Sequence, residues 1–95
     1  MKPHSLKFTG VIIKEGHWYL SLCTELDVAS QGKTVAQAKS MLKEAVALYL
    51  ETAFESNLPY LRPVPPSENP LVKDPQSIIE TFGLDVQVRI VANAA

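Results

Sequence analysis

A single cysteine, no run of basic residues and no long apolar stretch set the first limits on this chain of 95 residues. One cysteine, Cys23, excludes an intramolecular disulfide framework and any zinc site built from several cysteines; it suits a reducing compartment, so a cytoplasmic location is expected. Nine Lys and Arg against ten Asp and Glu leave a formal charge of −1. With no arginine cluster and no basic helix face, the footprint of a nucleic-acid binder is missing. The longest apolar run near the N-terminus is Val11 to Ile13, which provides neither a signal peptide nor a membrane span. There is no internal repeat. Acidic residues are scarce in the early strands, with Glu15 and Glu25 in turns and Asp27 at a strand edge. The converging carboxylates that a metal-dependent nuclease needs are therefore lacking, and no metal or cofactor is expected. His17 and Cys23 lie six residues apart on one strand, roughly 20 Å by strand rise, too far to act as base and nucleophile.

What is present begins as a β-meander. Leu6-Lys7-Phe8-Thr9 alternates, Val11-Ile12-Ile13 continues apolar, and Lys14-Glu15-Gly16 forms a hairpin loop with Gly16 in the left-handed conformation. A second strand sets Trp18, Leu20 and Leu22 against His17, Tyr19, Ser21 and Cys23, and a third, shorter strand spans Val28 to Gln31.

The next step is a sharp strand-to-helix elbow, Gln31-Gly32-Lys33-Thr34. Gly32 is expected to supply a positive φ, and Thr34 with Gln37 forms a T-x-x-Q capping box that starts the helix at Val35. An anion site on this helix N-terminus with Lys33 is the functional alternative, but a phosphate cradle normally brings more than one glycine. From Val35 the apolar residues Ala38, Leu42, Ala45, Val46, Tyr49 and Ala53 recur at three- and four-residue steps, with Met41 and Leu48 widening the stripe as core. Gln37, Ser40, Glu44, Glu51 and Glu55 occupy the wet side.

Six of the seven prolines, Pro59, Pro63, Pro65, Pro66, Pro70 and Pro75, then fall in one interval, which predicts no regular structure over 56–74. Pro63-Val64-Pro65-Pro66 could serve as a polyproline ligand, although a stiff surface connection is favoured because the segment must span the molecule. Asp74-Pro75 reads as an N-cap followed by proline at the first helical position, so a short helix is expected over 75–82, ending at Gly83. Leu84, Val86, Val88 and Ile90 alternate with Asp85, Gln87 and Arg89 as a final strand. The reading is one α+β domain over 1–95 with its core in 6–55 and 84–91, in the order βββα, short helix, β. If the crossover is right-handed, the last strand lies parallel to the first, in a sheet of order three, two, one, four.

The run His17-Trp18-Tyr19-Leu20-Ser21-Leu22-Cys23-Thr24-Glu25-Leu26, the Ser30-Gln31-Gly32-Lys33-Thr34 elbow, the helix with Ala38, Leu42, Ala45 and Leu50, and Leu58-Pro59 through Pro66 together resemble the HicB antitoxin family. The elements Trp18, Gly32, Thr34, Gln37, Ala38 and Leu42 carry that likeness. Departures are Thr24 in place of a usual proline, Asp27-Val28 in place of a Pro-Gly-like turn, Lys33 in place of aspartate, and Ala36-Gln37 in place of a Glu-Glu pair.

The resemblance implies a partial RNase H-like fold and an antitoxin of a type II system rather than an enzyme. It implies a partner, a small mRNA-cleaving HicA-like toxin, neutralised by direct protein contact. Glu15, Glu25 and Asp27 are the candidates for competing with RNA on a basic toxin surface. With Trp18, Leu20, Leu22, Leu84, Val86, Val88 and Ile90 toward the helix, the other sheet face displays Val11, Ile13, Tyr19 and Val91, the candidates for an oligomer face in a homodimer or tetramer. The DNA-binding module that many HicB proteins carry after the final strand is not seen in Ala92-Asn93-Ala94-Ala95, so direct operator binding is not expected. The rival reading is a stand-alone homo-oligomeric scaffold or ligand-binding domain without a toxin.

Overall fold

A computed structural model describes residues 4–88. Strand β1 (His4–Glu15), β2 (Trp18–Cys23) and β3 (Val28–Gly32) form the expected meander, followed by the long helix α1 (Val35–Glu55), a one-turn helix α2 (Pro70–Lys73), a 3-10 turn (Pro75–Ser77) and strand β4 (Ile78–Val88). The sheet has the order β3-β2-β1-β4. At the first hairpin Glu15 pairs with Trp18, leaving the two-residue loop Gly16-His17 with Gly16 at φ 61.

Three expectations about the last third of the chain are corrected. β4 runs antiparallel to β1, not parallel, with Phe8 opposite Leu84 and Ile12 opposite Glu80. The handedness rule applies to a single crossover between parallel strands. Here α1 carries the chain one way along the sheet, roughly 31 Å by helical rise. The proline-rich segment then carries it back, so that β4 starts at Ile78 opposite Ile13. The short helix expected over 75–82 is a 3-10 turn of three residues, after which the chain is already extended. Asp74 makes no side-chain cap, and Ile78-Ile79, apolar and β-branched, join the ladder through an irregularity beside Ile12 and Ile13. Finally, a cap does form earlier, where Asn69 accepts the Leu71 N–H ahead of Pro70 and starts α2 inside the interval read as irregular.

The α1 start behaves as a capping box with a shifted return bond. Thr34 accepts the Gln37 N–H at 3.0 Å, while the Gln37 side chain reaches back to the Lys33 N–H at 2.6 Å. Gly32 does not adopt positive φ; Gly16 is the described glycine that does. The requirement at Gly32 is space, because a Cβ there would stand 2.5 Å from the Ala38 nitrogen and 2.8 Å from the Gln37 carbonyl carbon. The helix ends on Asn57 at φ 54, with Leu58 N–H donating to Ala53 C=O at 2.8 Å and Asn57 N–H to Phe54 C=O at 3.2 Å. That bond pair is a Schellman closure.

The core lies between α1 and one sheet face. Leu42, Val46 and Leu50 of α1 pack with Phe8, Cys23, Leu26, Leu84, Val86 and Val88. Burial of this apolar surface is the main driving force for the fold. Ala38 and Ala53 are buried as the stripe predicts, but Met41 and Leu48 are exposed at 41% and 66%. These two side chains stand beyond the arc of α1 that the sheet can cover.

Alternation assigns the two faces and overturns one sequence expectation. Cys23, in the core, pairs with Gly10, and Gly10 with Phe82, so Tyr19, Ser21 and Cys23 share the helix side with Phe8, Ile12 and Leu84. Trp18, Leu20 and Leu22 point to the opposite face, away from the helix to which the pattern had assigned them. The alternation within β2 does not say which set is inward, and the set with the small, buried Ser21 and Cys23 is. Gly10 is part of the reason: its missing Cβ lets the Phe82 ring lie across β1, where an added Cβ would meet the ring at 2.3–2.8 Å.

Candidate interaction surfaces

Two places concentrate the residues singled out from the sequence. The first is the turn Thr24-Glu25-Leu26-Asp27. It closes with Asp27 N–H donating to Cys23 C=O at 2.9 Å and Asp27 at φ 53, a conformation Asp tolerates better than most residues. Leu26 is driven into the core at 0% exposure. Glu25 turns inward: its two carboxylate oxygens accept the Thr9 N–H at 2.8 and 3.1 Å, and one also accepts the Thr24 hydroxyl at 3.1 Å.

The proline-rich segment is fastened to this turn. Arg62 N–H donates to Glu25 C=O at 3.0 Å and Val64 N–H to Thr24 C=O at 2.9 Å. The alternation Arg62-Pro63-Val64-Pro65 thus places both prolines where no donor is needed, as at a sheet edge. The Arg62 side chain donates to the carbonyls of Leu26 and Asp27 at 3.2 and 3.3 Å and stacks over the Tyr49 ring. Val64 is buried, so Pro63-Val64-Pro65-Pro66 is occupied by its own fold and is not presented as a polyproline ligand.

The second place is the sheet face opposite α1. Register puts Leu22 beside Val11, Leu20 beside Ile13 and Trp18 beside Glu15, three successive rungs on that face. Val11 is fully buried and unavailable for contact, Ile13, Leu20 and Leu22 are half-buried, and Trp18 is 42% exposed. Ile78 of β4, paired with Ile13, continues this face and is half-buried. This side of the sheet is thus more apolar than an ordinary wet face. Its hairpin end carries charge, with exposed Glu15 opposite Trp18, and Lys33 over the Trp18 ring at 5.9 Å.

The candidate residues therefore separate. Val11 and Ile13 share the strip, whereas Tyr19 lies on the helix side with Lys14 over its ring at 5.8 Å, and Val91 falls outside the described residues. Glu15 and Asp27 are exposed at opposite ends of the β1-β2 pair, while Glu25 is bound to its own backbone. Leu20, Leu22 and Ile78 share this face without having been singled out for it, and the β-branched pair Ile78-Ile79 was the available signal. A cleft of about 490 Å³, lined by Tyr49, Thr52, Ala53, Leu58, Pro59, Leu61 and Arg62, sits at the C-terminal end of α1, with Leu58 and Leu61 exposed.

Among the described residues no group of three or more His, Cys, Asp or Glu is placed to hold a metal ion. Burial pushes the Cys23 thiol up to about 11, and the Glu25 carboxylate adds to the shift, the Sγ lying 4.0 Å from a Glu25 oxygen. Such a thiol is a core group and a poor nucleophile. No helix of the described residues is long and apolar enough to cross a membrane.

These features define a small α+β domain, an antiparallel four-stranded sheet with one long helix on a single face. Its fold is that of the HicB antitoxin N-terminal domain. The crystal structure of that domain from Burkholderia pseudomallei superposes with a TM-score of 0.58 at 20% identity, covering 88% of this chain and 99% of the other. A chain of the HicA3 and HicB3 toxin-antitoxin complex superposes with a TM-score of 0.57 at 18% identity, with the same coverage of 88% and 99%. No protein-family model matches the sequence, and no curated protein matches it.

Proposed function

We propose that this chain is a non-enzymatic antitoxin that binds and neutralises a small HicA-like, mRNA-cleaving toxin in the cytoplasm. The observation that carries the reading is the apolar strip of Ile13, Trp18, Leu20 and Leu22 on the helix-free sheet face, ending in the exposed Glu15 carboxylate. Apolar surface supplies affinity, and an acid at its rim suits a partner whose own surface must be basic to hold RNA. The likeness in fold to an antitoxin domain and to a chain of a toxin-antitoxin complex supports the same reading. Of the three acids raised from the sequence, Glu15 and Asp27 are free to compete with RNA, and Glu25 serves its own turn. A near-neutral surface also supports a partner that is protein rather than nucleic acid.

The test starts from the neighbouring reading frame, where a short basic protein is expected, and co-expresses that protein with this chain. Rescue of growth and co-purification of the pair are expected. Trp18→Ala and Glu15→Lys should each weaken the complex about tenfold or more by calorimetry, with unchanged circular dichroism. A chain that neither binds that protein nor restores growth would leave the antitoxin reading without support. Binding indifferent to both substitutions would remove the strip from it.

A further inference from the structure

We infer that the free edge of β4 is a self-pairing surface, joining two copies of this chain through an antiparallel β4-β4 contact into one continuous eight-stranded sheet. The inference goes beyond the antitoxin reading and requires no toxin.

The direction of the backbone groups is legible from one bond. Thr24 N–H donates to Thr9 C=O at 3.1 Å, so the odd residues of β1 address β2 and the even ones address β4. In the pairs Ile12-Glu80, Gly10-Phe82, Phe8-Leu84 and Leu6-Val86, the β4 partners therefore spend their N–H and C=O on β1. Thr81, Gly83, Asp85 and Gln87 direct theirs outward, and among the described residues no strand pairs with them. The opposite edge is far shorter: by the same alternation β3 turns outward only Ala29 and Gln31.

Edges of this length are normally blunted by lysine, proline, a bulge or a covering loop. From Glu80 to Val88 there is no lysine, no proline and no register shift, the irregularity lying before Glu80, and Asp85 is the one charged residue at an outward-directed position. The regular part is roughly 30 Å long. Beside it runs a cleft of about 470 Å³ lined by Lys39, Ser40, Lys43 and the β4 residues Phe82 to Asp85, which offers side-chain contact beside the backbone bonds. The Lys39–Glu80 ion pair and Lys39 over the Phe82 ring hold this wall in place.

A second copy is the fitting occupant because a two-fold axis presents identical outward donors and acceptors to one another. Pairing centred on Gly83 sets Gly83 against itself, Thr81 against Asp85, and Phe82 against Leu84. It keeps the two Asp85 carboxylates from facing each other, which would oppose association. Space above Gly83 is open, with nothing within 4 Å of the point where a Cβ would stand.

The experiment is sedimentation of the chain alone from micromolar to hundreds of micromolar, together with amide hydrogen exchange at both extremes. A dimer is expected, with the Thr81, Gly83, Asp85 and Gln87 amides protected at high concentration and exchanging fast at low concentration. Thr81→Pro and Asp85→Pro remove only outward N–H groups, so each should weaken dimerisation about tenfold or more with the monomer still folded. Where either proline unfolds the chain, the exchange pattern of the unmodified protein decides. A monomer throughout, or a dimer in which these four amides exchange freely, would overturn the inference. Protection that appears only on adding the toxin would overturn it too, reassigning the edge to a strand of that partner.

Discussion

The Glu25 carboxylate stands where a strand partner of Thr9 would otherwise be. In a continued β1-β2 ladder the Thr24 carbonyl would accept the Thr9 N–H, but that carbonyl accepts Val64 N–H instead, and both Glu25 oxygens take over at 2.8 and 3.1 Å. Glu25→Ala should leave the half-buried Thr9 N–H without its acceptor, a loss of about 1–3 kcal/mol in urea denaturation. Glu25→Gln keeps one acceptor oxygen and should recover part of it. Equal stability of all three proteins would show that water replaces the carboxylate without penalty.

Glycine substitutions separate space from conformation. Gly32→Ala places a Cβ against the backbone of Gln37 and Ala38 and should cost about 1–3 kcal/mol through forced displacement of the helix start. Gly10→Ala should cost a similar amount by expelling the Phe82 ring. Gly83→Ala, with open space around it, should be neutral or stabilising by less than about 1 kcal/mol. Thermal melts of the three variants check the order.

The helix face is tested by a graded set. Leu42→Ala, at a fully buried position, should cost about 2–5 kcal/mol from lost burial and the remaining cavity. Thr34→Ala removes the bond to Gln37 N–H and should cost about 0.5–2 kcal/mol. Glu51→Ala, on the exposed side, should be within about 0.5 kcal/mol of the parent. Ser21→Ala should be neutral or stabilising, since the buried Ser21 hydroxyl has no hydrogen-bond partner among the described residues. Chemical denaturation that ranked Glu51→Ala with Leu42→Ala would contradict the packing.

Cys23 links stability to alkaline pH. Its thiol ionises near its ordinary value in the unfolded chain and at about 11 in the folded one. The unfolded state therefore holds fewer protons between those limits, and stability present below pH 9 falls as pH rises toward 11. The difference amounts to about 2–3 kcal/mol. Denaturation midpoints should show this slope in the parent and lack it in Cys23→Ala. Thiol reagents at mildly alkaline pH should label Cys23 only on unfolding.

Local chemistry alone determined most of the elements of this protein. The meander, the Gly16 hairpin, the Thr34 cap and the buried run through Ala38, Leu42 and Val46 all follow from short-range preferences and periodicity, which act within a few residues. The likeness of His17–Leu26, the Ser30–Thr34 elbow and the following helix to HicB antitoxins likewise anticipated the fold. Tertiary structure decided what periodicity leaves symmetric. An alternating strand has two equivalent faces, and only the fit of Cys23, Ser21 and Tyr19 beneath α1 turned Trp18, Leu20 and Leu22 outward to make the proposed contact strip. The direction of β4 depended on a second pass of the chain, fastened by Arg62 and Val64 to a turn more than thirty residues earlier. Glu25 looked like a surface acid because its partner, a backbone N–H on another strand, has no signature in sequence. Such pairings are set by how the elements pack together, and no window of neighbouring residues contains them.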